Sequence, residues 1–260
     1  MSGSRRWVHQ RMNLLLSPSR LRIAERNWGM NERVTSDGLL LAFDTSSAVG
    51  SVAVGRKGIV LAHTELEQQK KHASALIPAI RSVLLEGGID KSELDGIVVG
   101  EGPGSFTGVR VAAATAKGMA YALGLPLWPV SSLAATALSV VGLGIRYVLF
   151  DARKQRIYGA CYGVGKMDVE TLIFPHAGTL REVLASNIPT GAVFCGEGSC
   201  RHRLIIEGAG FEVQPLPVTY PGANGLLRYI KLYPKTRSVS AIRGWEPRYI
   251  RNWQSGLEVI

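Results

Sequence analysis

From Leu39 onward the apolar positions arrive first as short runs broken by glycine. LLLAFD (39–44) runs into TSS, and GSVAVG (50–55) and GIVLAHTEL (58–66) follow, with Gly50, Gly55 and Gly58 at the breaks. Such runs predict three strands in an antiparallel meander. The period then lengthens to 3.6. Ala73, Leu76, Ile77, Ile80, Val83 and Leu84 share one face of a predicted helix, which Gly87 and Gly88 close. LDGIVVG (94–100) is apolar without alternation, which predicts a strand covered on both faces. After the glycine-rich GEGPGSFTGVR (100–110), with Thr107 as its expected N-cap, a helix is predicted to Leu123, where Gly124 and Pro126 stop it. LPLWPVS predicts another strand and SSLAATALSVV another helix. The order βββαβαβα predicts a mixed sheet with helices on its faces.

After residue 145 the pattern starts again. RYVLFDARKQRIYGACYGVG predicts two strands joined by a polar turn, and TLREVLASNI a short helix. GAVFCGEGS predicts a strand with a glycine-rich end, and RHRLIIEGAG a further short helix. No low-complexity linker parts the halves. The expected organisation is a leader (1–38), a first lobe (39–133), a second lobe with its connecting helix (134–240) and a tail (241–260).

Charge changes this picture only at the ends. The formal net charge of the 260 residues is +10. Residues 1–38 carry seven arginines against three acidic residues, and residues 228–260 seven basic residues against two, so the body between them is nearly neutral. Basic ends read as solvated tails or as contacts to a polyanion such as tRNA. The leader reads as unstructured, or as an over-extended start with Met30 as the true beginning; a transit peptide is the other reading. No apolar run reaches the roughly 18 residues of a membrane span, which predicts a soluble protein. Three cysteines, Cys161, Cys195 and Cys200, give no disulfide framework and suit the cytoplasm. They have no second Cys/His pair at zinc spacing.

Two stretches carry candidate chemistry. Asp44, Thr45 and Ser46 stand at a predicted hairpin tip, where backbone N–H groups and hydroxyls can hold phosphate and a carboxylate can hold a metal-bound water. The same residues are ordinary turn formers. The loop Gly102-Pro103-Gly104-Ser105, with Thr107 and Arg110, can cradle an anion at a helix start or form a tight turn packed on protein. It has no Walker lysine and no G-x-G-x-x-G. The helix after it has only Arg110 and Lys117 charged, and Ala114, Gly118 and Ala122 recur every fourth residue. A helix without a polar face needs cover on both sides.

LLLAFDTSS, GSVAV, KHASALIPAI, GEGPGSFTGVRVAAATAKGMAYALGLPLWPVSSL, DARKQRIYGACY and EPRYIR stand here in the order found in the bacterial TsaB (YeaZ) family. The chain resembles that family over most of residues 39–251. The resemblance implies an α/β, actin-like, two-lobed fold of the sugar kinase/Hsp70/actin superfamily, with mixed sheets flanked by helices. It also implies a noncatalytic partner in forming N6-threonylcarbamoyladenosine beside the anticodon of tRNAs that read codons starting with A. The implied partners are a TsaD-type transferase subunit, a TsaE-type ATPase and, through the complex, tRNA; a homodimer of the lone chain is left open, and the apolar runs predict no membrane partner. The implied partner face is Val111, Ala114, Thr115, Gly118 and Ala122. The catalytic paralogue carries an H-x-x-x-H metal pair. Here His72 is present, but Leu76 stands one turn on, so no metal site and no catalytic residue is expected. No cofactor of its own is expected, with ATP or ADP at the complex interface as the open case. The alternatives are an actin-like small-molecule kinase or ATPase using Asp44 and the 196–199 turn, and a metal-dependent peptidase.

Overall fold

The computed structural model describes residues 37–66, 72–152, 155–233 and 235–250. The expectations for residues 1–36 and 251–260 lie outside the described residues. Five strands form the first sheet: β1 (Leu39–Asp44), β2 (Gly50–Arg56), β3 (Ile59–Leu66), β4 (Gly96–Gly100) and β5 (Leu127–Val130), in the order β3-β2-β1-β4-β5. The β1–β2–β3 meander is antiparallel, while β4 and β5 are parallel to β1. The second sheet holds β6 (Gly144–Asp151), β7 (Arg156–Val164), β8 (Val169–Thr179), β9 (Val193–Cys195) and β10 (Glu212–Val213), in the order β10-β9-β6-β7-β8. Read from the other edge, this is the first sheet again: an antiparallel meander, then two parallel strands beside its first member. The duplicated order is that of the expected actin-like fold.

Every residue of β1 and β4 is buried, as their unbroken apolar runs predict. Leu39, Leu41 and Phe43 face α1 (His72–Glu86) and α2 (Phe106–Leu123), while Leu40 and Ala42 face the opposite side. On α1, Leu76, Ile80, Val83 and Leu84 are buried, but Ala73 and Ile77 are not; Ile77 is 53% exposed. The face that meets the sheet is narrower than the apolar stripe in the sequence.

Between the sheets lie α3 (Ser132–Ser139) and α7 (Ala223–Leu232). Leu133, Ala134, Ala137 and Leu138 of α3 pack on Val148, Phe150 and Ala160 of the second sheet. Leu226, Leu227 and Ile230 of α7 pack on Leu40, Ala42 and Ala53 of the first. The two helices approach closely through Gly225, where a Cβ would stand 2.0 Å from the Ala135 carbonyl oxygen. Ala223–Leu232, within the stretch expected as the second lobe (134–240), contacts the cores of both sheets. It covers the first sheet, because its apolar face completes the side that α1 and α2 leave open. The tail also returns to the first lobe. Val239 N–H donates to the Leu127 carbonyl (2.9 Å), and Ile242 and Trp245 lean on the first core.

The outer face of the second sheet buries Tyr147, Leu149 and Phe194 beneath α4 (Leu180–Leu184) and α6 (Arg203–Gly208), with Val183 and Ile206 as the contacts. The short helix α5 (Glu197–Arg201) leads from β9 to α6. Among the described residues no helix is long and apolar enough to cross a membrane.

Candidate functional site

The β1–β2 hairpin tip and the glycine-rich loop are in direct contact. Asp44 is 1% exposed. Its Oδ1 accepts from Ser46 N–H (2.7 Å) and its Oδ2 from the Ser132 hydroxyl (2.6 Å). Burial pushes this carboxyl up from its ordinary range, and the bonds from Ser132 and Ser46 pull it partly back. The Thr45 hydroxyl donates to the Gly108 carbonyl (2.7 Å), and the Ser46 carbonyl accepts from Ser105 N–H (2.6 Å). The Asp44 carboxylate, the Thr45 hydroxyl and the Ser46 N–H are therefore bonded to protein, while the buried Ser46 hydroxyl has no partner.

The same contacts explain the glycines. A Cβ would stand 1.8 Å from Asp44 Oδ2 at Gly100, 2.3 Å from the Ser46 carbonyl oxygen at Gly104, and 1.8 Å from the Thr45 carbonyl oxygen at Gly108. At Gly102 the backbone has φ +87°, which favours glycine. The stretch is a turn packed on protein. Its helix starts two residues before the expected cap: Ser105, not Thr107, is the N-cap, and its hydroxyl accepts from Gly108 N–H. Thr107 is exposed. Both are hydroxyl residues within one turn, so composition alone could not separate them.

Acidic side chains gather near the hairpin tip: Glu197 lies beside Asp151 and the Ala48 backbone, and Glu101 beside Arg248. Glu101 is raised by burial and lowered by the Arg248 guanidinium, 3.5 Å away. Glu197, from the glycine-rich end of β9, is raised by burial and by the nearby Asp151 carboxylate; a bond from the Ala48 N–H lowers it. That contact sets Glu197, on the second lobe, beside the hairpin tip of the first. Asp151 pairs with Arg201. His72 bonds through Nε2 to the Ser47 carbonyl (2.9 Å), at the side of the same hairpin. Among the described residues no group of three His, Cys, Asp or Glu side chains is placed to hold a metal.

A carboxyl raised in the folded chain keeps its proton to higher pH than in the unfolded chain. It therefore favours the fold below its unfolded pKa, and that contribution is lost as pH rises through the folded pKa. Glu197→Gln keeps an acceptor for Ala48 N–H and removes the charge. The melting temperature of the variant relative to the parent should be higher at pH 7.5 than at pH 5. A difference that does not change with pH would show that Glu197 is not held in this environment.

The second candidate region is the outer side of α2. Ala114, Gly118 and Ala122 are exposed, as are Phe106 and Tyr121. Thr115 is half-buried, and Val111 leans on the first core. A Cβ on Gly118 would meet nothing within 4 Å. Beside this face runs the chain's own tail. Lys117 Nζ donates to the carbonyls of Arg243 and Trp245 (both 2.8 Å), and Arg243 donates to the Tyr121 hydroxyl (2.6 Å). The Arg110 guanidinium lies 3.8 Å over the Phe106 ring and donates to the Tyr249 hydroxyl (3.1 Å). Sequence reading missed these tail contacts, as it missed Ser132, Glu101 and Glu197. The basic residues and aromatics of 243–249 were the available signal, since they match the two cations and two aromatics of α2.

Two sheets of the same strand order and one helix with an outward row of small residues define a protein of the actin-like α/β fold. The sequence-family model described as TsaD, tRNA N6-adenosine threonylcarbamoyltransferase, matches residues 59–201. The chain belongs to this family, and the curated proteins it resembles include several named TsaB. It is 38% identical over 122 residues to the tRNA threonylcarbamoyladenosine biosynthesis protein TsaB of Haemophilus influenzae, covering 46% of this chain and 51% of that one. It is 36% identical over 124 residues to TsaB of Bacillus subtilis, covering 47% and 54%. The chain thus spans about half the length of the curated relatives it matches. The structure of YeaZ from Pseudomonas aeruginosa superposes with a TM-score of 0.69 at 26% identity, covering 82% of this chain and 100% of that one.

Proposed function

We propose that the chain is a noncatalytic partner subunit in forming N6-threonylcarbamoyladenosine on tRNA, in the cytoplasm. It docks on a TsaD-type transferase subunit through the outer face of α2, and a TsaE-type ATPase and the tRNA join the complex. The observation that carries this reading is the exposed row Ala114, Gly118 and Ala122 on a helix with hardly any charge. Small side chains let a partner helix approach closely, and an apolar face of this kind is covered in the working assembly. The names of the curated relatives support the pathway.

The kinase or ATPase reading finds no support at the hairpin tip. Phosphate needs free donors or cations, whereas here Ser46 N–H serves Asp44, the Thr45 hydroxyl serves Gly108, and the Glu197 carboxylate stands beside the hairpin tip. The purified chain should hydrolyse ATP below about 1 s⁻¹, under the ordinary range of enzymes. Nucleotide bound by the complex would sit where the partner supplies the missing donors.

The test is reconstitution. TsaD- and TsaE-type proteins, tRNA and a source of threonylcarbamoyl-adenylate are combined with and without this chain. The modified nucleoside should form only with it. Equal product without it would overturn the partner role, and ATP turnover by the chain alone would restore the enzyme reading.

A further inference from the structure

A cavity of about 470 Å³ opens at the second sheet, and none of its lining residues belongs to the hairpin tip or to α2. It lies between the end of α3, the start of β6 and the loop 214–219. Arg146 lines it and is 9% exposed. Two of its five N–H donors are accounted for by neighbouring backbone carbonyls: Nη2 to Leu143 (3.1 Å) and Nη1 to Ile145 (3.4 Å). Its Nε is buried without a partner. Among the described residues no carboxylate stands within ion-pair distance of this guanidinium. Cys195, which feels its charge, is no counter-ion, because burial holds that thiol up at about 12. A buried cation is costly unless an anion meets it.

The sheet register shows what surrounds it. Arg146 and Glu212 both pair with Val193, so the three form one row across β6, β9 and β10. Glu212 is exposed at the rim, where water screens it. Val140, Val193 and Leu216 supply apolar wall. The Gln214 side-chain oxygen accepts from the Thr219 hydroxyl (3.0 Å), which orients the amide and leaves its N–H₂ as a donor. A fixed guanidinium, an amide donor and aliphatic walls, in a volume typical of small-molecule sites, match one ligand chemistry.

We propose that this cavity binds a small organic carboxylate with an aliphatic body, the carboxylate held by Arg146 and the Gln214 amide and the body lying on Val140 and Val193. The probe is 4-methylpentanoate, titrated calorimetrically into the full chain, with its neutral amide and inorganic phosphate as controls. The carboxylate should bind saturably, with a Kd of about 1 mM or tighter. The amide should bind at least tenfold more weakly, since only the charged form uses the guanidinium. Arg146→Met removes a buried charge, so it should fold and lose the site. Leu216→Trp keeps Arg146 and narrows the exposed mouth; it should weaken binding several-fold. Absent saturation, equal binding of the amide, unchanged binding in Arg146→Met or in Leu216→Trp, or phosphate binding as tightly as the carboxylate would each overturn the proposal.

Discussion

Gly118→Arg should leave the isolated chain folded and weaken its complex with the TsaD-type subunit a hundredfold or more. The free chain tolerates the change because a Cβ at Gly118 meets nothing within 4 Å. Glycine inside a helix costs about 1 kcal/mol against alanine, and arginine is a good helix former, so the melting temperature should hold or rise. The complex cannot tolerate it if a partner helix lies on this row. A long cation would then be buried unpaired at a close crossing, at a cost of several kcal/mol, and each 1.4 kcal/mol is about a decade in Kd. Circular dichroism of the variant followed by titration with the partner separates the cases. A folded variant that binds normally removes α2 from the interface. Ala114→Arg and Ala122→Arg, on the same exposed row, should behave alike.

The first lobe was legible because its central strands β1 and β4 are buried on both faces. Continuous apolar runs such as GIVVG have one structural reading when glycines bound them. The second lobe was legible only in part. β8 breaks its alternation: Cys161 pairs with Ile173 and Tyr162 with Thr171, so Leu172 is an extra residue and the period of two is lost there. β10 pairs only Glu212 and Val213, too short to leave any pattern. The candidate site was found in pieces. Asp44, Thr45, Ser46 and the Gly102–Ser105 loop were picked out as two regions, and the fold makes them one contact. What joins them is backbone: the carbonyls of Thr45 and Ser46 fit against positions where glycine has no Cβ. No side-chain pattern reports a main-chain approach of that kind. Glu197 was likewise seen only as part of a glycine-rich turn, since its bond to Ala48 depends on how the lobes close.

The same substitution at two glycines of α2 should act in opposite directions. Gly118→Ala adds a methyl to open space and lowers the entropy of the unfolded chain, so it should stabilise by about 0.5–1 kcal/mol. Gly108→Ala, ten residues earlier, would put its Cβ 1.8 Å from the Thr45 carbonyl oxygen. That oxygen is backbone at the end of a buried strand and cannot rotate away. The Gly108 carbonyl also accepts the Thr45 hydroxyl at 2.7 Å, so any shift that relieves the clash strains that bond. Overpacking of this kind costs typically 1–3 kcal/mol, and more where the neighbour is main chain. For a chain of this size about 3 kcal/mol is roughly 6–12 °C in melting temperature, against a gain of about 2–4 °C at most for Gly118→Ala. The helix start must move for Gly108→Ala to fold at all, and Ser105, Phe106 and Arg110 move with it. Partner binding should therefore fall in Gly108→Ala even below its melting temperature, while Gly118→Ala binds only modestly more weakly through its single methyl. If the two variants melt alike, the hairpin tip does not rest on the start of α2, and the glycines of GEGPGSFTGVR would need another explanation than close packing on the Asp44 turn.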